Sequence, residues 1–522
     1  MQRSWNCKQT DISIRRALTV LCGESFFNSV ADMVSFSWEQ ILFSLALQKN
    51  TGICICPAFL AFYLHIDGRM KIAEYHIFTQ ENSIEKQRLL CYFYTKSSKE
   101  GDLFCIEKGV FCVARDYSHR IGKKVVRFVT KEGSPIAGKC VHFSMRKHEF
   151  LFGGGMFQCV PYAAGEMSDL AERELFEKVF EKWIAIMNNA TLPFYWGGFE
   201  PVEGQPRSKQ LMAGAKFLKD KGITIKGHPL CWHTSCADWL MQYSTEEILQ
   251  KQIARIHREV GGFKGVVDMW DVINEVVIMP IFDKYDNAVT RICKMLGRVK
   301  TVKTMFDAAR EANPEATLLI NDFNLSTNYQ ILIDGCLNAG APIDEIGLQT
   351  HQHQGYMGQE KLLEILERYE VFKKPLHFTE ITLTSGHLMP PEIVDLNDYK
   401  VEDWPTTPAF EDRQARQFVE MYEILFSHPL VRTAYTWNFI DGGWLGAPAG
   451  FLRKDGSVKP VYDAVYDLIR RQWWTDGEAV TDENGEAVIE GYRGDYVLNI
   501  CGNEMPLSLR REDLEGTATY IL

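Results

Sequence analysis

The sequence predicts an α/β protein, a (β/α)8 barrel with antiparallel, β-rich regions flanking it at both ends. Three observations carry that expectation. Eight short apolar runs recur from about residue 149, most of them separated by stretches with apolar residues at three- and four-residue spacing, and neither end of the chain keeps this rhythm. Strands that are apolar throughout and alternate with helices belong to a parallel sheet covered on its outer face. Eight such units close a barrel, and strand count alone leaves an open doubly wound sheet as the alternative.

In order, the runs are "EFLFGG" from Glu149, "NATLPFYW" from Asn189, "ITIKGHPLCW" from Ile223, "VVDMWDVIN" from Val266, "TLLIND" from Thr317, "IDEIGLQT" from Ile343, "LHFTE" from Leu376 and "TAYTWN" from Thr433. The intervening stretches, such as "EILQKQIARIHREV" and "KLLEILERYEVF", have helical periodicity, and Ser244 with Glu247 forms a capping box ahead of the first. Pro314 and Pro375 stand where a helix gives way to a strand. Gly153-Gly154-Gly155 is not followed by the Lys-Ser/Thr of a phosphate loop, so close packing at the first strand is the better reading. Residues 1–148 are expected to be a β-rich accessory domain, 149–472 the barrel and 473–522 a small β appendage. "GKKVVRFVTKEGSPIAGKCVHFSM" and "GEAVTDENGEAVIEGYRGDYVLNI" are turn-punctuated β runs that could form one composite domain. No Pro/Ser/Gly-rich spacer is visible, so the N-terminal region should pack on the barrel, with either a carbohydrate-binding or a structural role.

A net charge of −11 argues against nucleic acid, whose phosphates need clustered Lys and Arg, and suits a neutral ligand. No apolar run has the length of a membrane span. "ALTVLCG" after Arg15-Arg16 is too short for a signal peptide, which leaves the location unassigned. Nine of the fourteen cysteines lie in the first 159 residues, without paired CxxC at zinc spacing. Free thiols, or a truncated or misassigned start, fit this better than a disulfide framework or a metal site. A monomer is expected.

In a barrel of this kind the C-terminal strand ends line the active site. Those ends carry His228, Trp232 and His233; Asn274 and Glu275; Asn321, Asp322 and Asn324; Gln349, His351 and His353; Glu380; and Trp437 and Asp441. Glu275 and Glu380 would face each other across the mouth. Cleaving an acetal needs a proton for the departing oxygen and a partner for the developing oxocarbenium ion, and two carboxylates supply both. Trp232, Trp437 and Trp444 offer flat faces for sugar rings, and the amides and imidazoles can bond hydroxyls. The four histidines could instead hold a metal, but a barrel metal site also wants a carboxylate in the cluster. A Ser or Cys nucleophile lacks its GxSxG or an obvious base.

These segments resemble glycoside hydrolase family 10, the retaining endo-1,4-β-xylanases. "GHPLCWH", "WDVINE", "NDFN", "IGLQTH", "HFTEI", "TWNFID" and "LRKDGSVKPVYDAV" look like the family's segments and fall in its order over about residues 149–470. The resemblance implies Glu275 as acid/base and Glu380 as nucleophile, with no cofactor and a polysaccharide or oligosaccharide as substrate. It implies that Asn274 bonds the sugar 2-hydroxyl and that His351 orients Glu380. It also implies that His228 and Trp232 line the glycone side, with Gln349 nearby and Trp437 as floor. Members of the family are usually secreted. Cleavage of β-1,4-xylosidic bonds by double displacement is the implied activity. Another decorated β-glycoside as substrate, and a non-catalytic carbohydrate-binding barrel, are the alternatives. There is one departure. Where the family has T-x-E-N-x-x-K, this chain reads "TLPFYWGGFEP", so Thr191 is followed by Pro193, Phe194, Tyr195 and Trp196 in place of the glycone-binding Glu, Asn and Lys. Trp196 is the expected replacement contact. Thr382 also stands where Asp is common after the nucleophile.

Overall fold

The structure, a computed structural model, describes residues 115–522 throughout and, before them, only the backbone of five strands. These are β1 (Leu60–Ile66), β2 (Arg69–Phe78), β3 (Leu90–Thr95), β4 (Leu103–Glu107) and β5 (Val110–Val113), an antiparallel sheet paired in chain order. They belong to a unit of their own that ends at Asp116. The carbohydrate-binding role considered for the N-terminal region falls on side chains outside the described residues.

The second unit, from Tyr117, is built on a closed barrel. Its strands are β8 (Leu151–Gly155), β9 (Asn189–Pro193), β10 (Thr224–His228), β11 (Met269–Asn274), β12 (Thr317–Asp322), β13 (Glu345–Leu348), β15 (Leu376–Leu383) and β16 (Val431–Thr436). Each pairs in parallel with the next, and Thr433↔Leu151 to Thr436↔Gly154 closes β16 back on β8. The two-residue β14 (His351–Gln352) adds to the upper end of β15. The eight strands are those expected, and the closure removes the open-sheet alternative. The glycines of β8 allow that closure: a Cβ on Gly153 would run into the Tyr435 ring, and one on Gly154 would come within 2.6 Å of the Trp183 indole nitrogen.

A helix follows every strand: α1 (Leu170–Ile186), α2 (Ser208–Lys219), α3 (Thr245–Gly262), α4 (Arg298–Ala312), α5 (Thr327–Asn338), α6 (Gly358–Glu370), α7 (Pro408–Ser427) and α8 (Pro460–Asp467). The capping box at Ser244 starts α3, which buries Ile248, Ile256 and Val260 against the sheet. Thr407 caps α7, and Pro408 opens it, where the missing N–H costs nothing.

The β structure at the ends of this unit is shared. β6 (Ile121–Val129) and β7 (Cys140–His148) pair with β17 (Asp476–Val480), β18 (Glu486–Tyr492), β19 (Gly494–Ile500), β20 (Asn503–Ser508) and β21 (Thr517–Ile521). One sheet runs β17-β7-β19-β20 and the other β18-β6-β21, so each N-terminal strand lies between C-terminal ones. Residues 121–148 therefore interleave with 476–521 instead of ending a separate segment at 148. The sheets are not wholly antiparallel, since β21 runs parallel to β6. Val126, Phe128, Val141, Phe143, Ile489 and Leu498 fill the space between them.

This layer covers the N-terminal ends of the barrel strands. Arg120 is buried and donates to the carbonyls of Phe426 (2.9 Å), His428 (2.8 Å) and Val431 (2.7 Å). Trp473 stacks on Phe426 with ring centres 4.1 Å apart. The opposite end of the barrel, where the strands finish, is left for the site.

Candidate active site

β11 is buried along its whole length and delivers Asn274 and then Glu275 to the mouth. Glu275 has φ +56°, the left-handed region that a side chain with a Cβ seldom occupies. Such strain persists only where the surroundings hold it. Here the Glu275 N–H donates to the Asn321 carbonyl (2.8 Å), and the Val277 N–H donates to the Asp322 carboxylate (3.0 Å). Asp322 is buried, which raises its pKa to about 7 even though backbone N–H groups donate to it. The turn after β11 is thus tied to the tip of β12.

Glu380 sits inside β15, and one network joins it to Glu275. Asn321 donates to Glu380 (2.9 Å) and to the Asn274 side-chain carbonyl (2.8 Å). Gln349 donates to that same Asn274 oxygen (3.0 Å) and, at 3.4 Å, to Glu275. Asn274 donates to Glu275 Oε1 (3.2 Å), and Trp232 donates to Glu275 Oε2 (2.7 Å). Thr379 fixes the Asn321 amide by donating to its oxygen (2.7 Å). His351 Nε2 lies 2.9 Å from Glu380, and its Nδ1 is 3.3 Å from the Thr382 hydroxyl. Thr382 therefore partners the imidazole from the position where Asp is common.

The two carboxyls are pushed apart. Burial raises Glu275 from the ordinary 4.5 to about 8, and the nearby charge of Glu380 adds to this against the bonds from Trp232 and Gln349. Burial also pushes Glu380 upward, but the bond from His351 and the positive field of His351, His228 and Lys226 outweigh it and hold this carboxyl below 4.5. At neutral pH one carboxyl keeps its proton and the other is ionised. Beneath them, Asp271 takes Lys226 at 2.6 Å and His228 Nδ1 at 2.7 Å, all three buried. Burial raises the Asp271 pKa, yet Lys226 and His228 bring it below the usual value.

Aromatic side chains surround the pair. His228 meets Trp437 at 5.5 Å between ring centres, Trp437 meets His351 at 6.1 Å, and His351 lies 4.4 Å from Trp444. Nine of the ten expected site residues, Glu275, Glu380, His228, Trp232, Asn274, Gln349, His351, Trp437 and Trp444, thus come together. Trp196 does not. β9 ends at Pro193, and Trp196 opens a one-turn helix (Trp196–Phe199), so alternation along the strand stops before it. Its indole is buried, donates to Glu200 (3.1 Å) and lies under the Arg255 guanidinium at 4.8 Å. Phe194 is core as well, packed on Trp270 and Phe263. Tyr195 is the residue of this stretch that reaches the mouth, with its ring 5.5 Å from His228 and 5.6 Å from Trp232.

The other polar tips have different partners. His233 packs on Phe282 and His353 lies between Trp404 and Trp444, with burial lowering their pKa values to about 4 and about 3. Asp441 pairs with buried Lys459 at 2.6 Å. The four histidines do not gather into a cluster. Sequence reasoning missed Phe157, which follows β8 and meets Trp437 edge-on at 5.8 Å. No motif or periodicity marked it.

A closed (β/α)8 barrel with two unlike carboxyls in one network at its mouth places this chain among the barrel proteins that gather polar side chains at the strand ends. The sequence model described as Glycosyl hydrolase family 10 matches residues 165–468, and the chain belongs to that family. It is 28% identical over 309 residues to an endo-1,4-beta-xylanase/feruloyl esterase of Xylanibacter ruminicola, a match over 54% of this chain and 40% of that protein. It is 24% identical over 332 residues to endo-1,4-beta-xylanase B of Thermotoga neapolitana, covering 60% of this chain and 89% of that one. The match thus spans less than half of the first relative and most of the second. The solved structure of a family 10 protein from Paenibacillus barcinonensis superposes with a TM-score of 0.51 at 20% identity, over 62% of this chain and 95% of that one, a likeness of fold.

Proposed function

We propose that this chain is a retaining β-glycoside hydrolase acting on xylan or a related β-1,4-linked polysaccharide. The observation that carries the reading is one hydrogen-bond network that joins two carboxyls in unlike surroundings: Asn274 and Trp232 donate to Glu275, whose burial pushes its pKa up to about 8, while Asn321 donates to Glu380, which His351 holds below the usual carboxylate value. Glu275 protonates the glycosidic oxygen as Glu380 attacks the anomeric carbon, so the bond to the leaving group breaks and a glycosyl ester forms. Glu275, now ionised, takes a proton from water, whose oxygen displaces Glu380 and releases the sugar with its configuration retained. Asn274 bonds the 2-hydroxyl of the reacting sugar. Asn321 and Gln349 position Asn274, and His351 positions Glu380. Trp437 and Trp232 supply the faces against which the sugar lies.

The names of the xylanase relatives support the substrate class, and the altered "TLPFYW" segment favours a substrate other than plain linear xylan. The test is reducing-sugar release from a panel of β-glycans, with NMR of the first product anomer. Release from xylan with a β-anomer first product is expected. An α-anomer would overturn the retaining mechanism, and release from no β-1,4-linked glycan in the panel would overturn the substrate.

A further inference from the structure

The longest departure from the family pattern at the mouth is the stretch that follows Thr191. Two aromatic side chains stand there. Tyr195 touches Trp232 at 5.6 Å and Phe157 at 6.2 Å, and Phe157 meets Trp437 at 5.8 Å. Centre-to-centre separations of about 4.5–7 Å are contact distances for aromatic rings, so no sugar ring passes between these neighbours. Trp232, Tyr195, Phe157 and Trp437 therefore form a continuous arc over the tips of β10, β9, β8 and β16. Glu275, through Trp232, and His228, under Tyr195 and Trp437, lie against its inner side.

The Tyr195 hydroxyl makes no hydrogen bond among the described residues. Burial and the charges of Glu380 and Glu275 raise its pKa well above the ordinary value, which keeps it a neutral donor beside both carboxyls. Tyr195 is only half-buried, so its phenol stands where a ligand hydroxyl can meet it.

We propose that Tyr195 and Phe157 close the glycone side of the cleft after a single sugar, and that the Tyr195 phenol donates to a hydroxyl of that sugar. This rests on the hydrolase reading above. The enzyme then works from the non-reducing end of a chain, or on an aryl glycoside of one sugar, and releases a monosaccharide. The phenol supplies a donor to the sugar beside the two carboxyls, while the two rings fill the side along which a second sugar would lie.

The test compares kcat/KM on 4-nitrophenyl β-xyloside and 4-nitrophenyl β-xylobioside for the full chain. A xylobioside-to-xyloside ratio near one or below is expected in the native protein. Tyr195→Ala and Phe157→Ala should each raise that ratio about tenfold or more. Tyr195→Phe should keep the native ratio and lower both values about tenfold, the effect of one lost directed hydrogen bond. A native preference of a hundredfold or more for the xylobioside would overturn the wall and leave the hydrolase reading intact. Native-like values in Tyr195→Phe would overturn the role of the phenol. Silence on both substrates and on xylan would overturn the hydrolase reading and the wall with it.

Discussion

Replacing Glu275 with Gln should make the protein more stable at neutral pH, by an amount that grows with pH. The carboxyl keeps its proton to about 8 in the folded chain, against an ordinary 4.5. Folding at pH 7 must therefore protonate a group that the unfolded chain holds ionised. Each pH unit of that difference costs about 1.4 kcal/mol, so between 4.5 and 7 the cost reaches roughly 3 kcal/mol. The sign follows from the raised value: stability linked to this group is fully present below the unfolded pKa and is lost as pH rises through about 8. Gln carries no proton to lose and still accepts from Trp232 through its carbonyl, as Oε2 does at 2.7 Å. It loses part of the contact that Asn274 makes with Oε1 at 3.2 Å, which offsets on the order of 1 kcal/mol. A net gain of ~2 kcal/mol at pH 7 remains, a rise in melting temperature of roughly 2–4 °C for a unit of this size. Thermal melts of the native protein and Glu275→Gln from pH 5 to 9 measure it. The gap should be near zero at pH 5 and widest above pH 8. A gap that does not change with pH, or a variant less stable than the native protein at pH 8, would refute the reasoning.

The same opposition of charge states shapes the pH profile of kcat/KM. Activity should fall as pH rises through about 8, where Glu275 loses its proton, and on the acid side only below 4.5, where Glu380 gains one; a basic limb below pH 6 would contradict this. Glu380→Gln should remove turnover on every glycoside, whereas Glu275→Gln should spare aryl substrates with very good leaving groups by orders of magnitude, measured as kcat/KM on 2,4-dinitrophenyl against alkyl glycosides. Arg120→Ala should destabilise the Tyr117–Leu522 unit by roughly 3 kcal/mol or more, read by denaturant unfolding, because three barrel carbonyls lose a buried donor.

The barrel was legible because its information is local. Apolar strands, the Ser244–Glu247 cap and the prolines before β12 and β15 mark elements through neighbouring residues alone. The tips were legible for a related reason, since a parallel barrel brings every strand end to one mouth, so Glu275 and Glu380 had to share it whatever the loops did. The stretch after Thr191 was not, because strand alternation assumes that the strand continues. β9 stops at Pro193, so Trp196 turned inward to Glu200 while Tyr195 took the mouth. Phe157 lies in a short turn without periodicity, and only its contact with Trp437 reveals it. The sheets of β6 and β7 depend on partners more than three hundred positions away, a distance over which residue pattern carries no pairing information.

That separation has a consequence for how the protein is made. β6 and β7 leave the ribosome well before β18 and β19 exist, so each emerges as a strand with both edges open. At about 5–20 residues per second, the wait is on the order of tens of seconds, long enough for all eight βα units to assemble in between. The pairing of β6 and β7 can therefore be completed only after the last strands of the unit have been made, when every strand of the barrel is already present. Until that moment the exposed edges of β6 and β7 are the places at which two nascent chains could pair with each other instead.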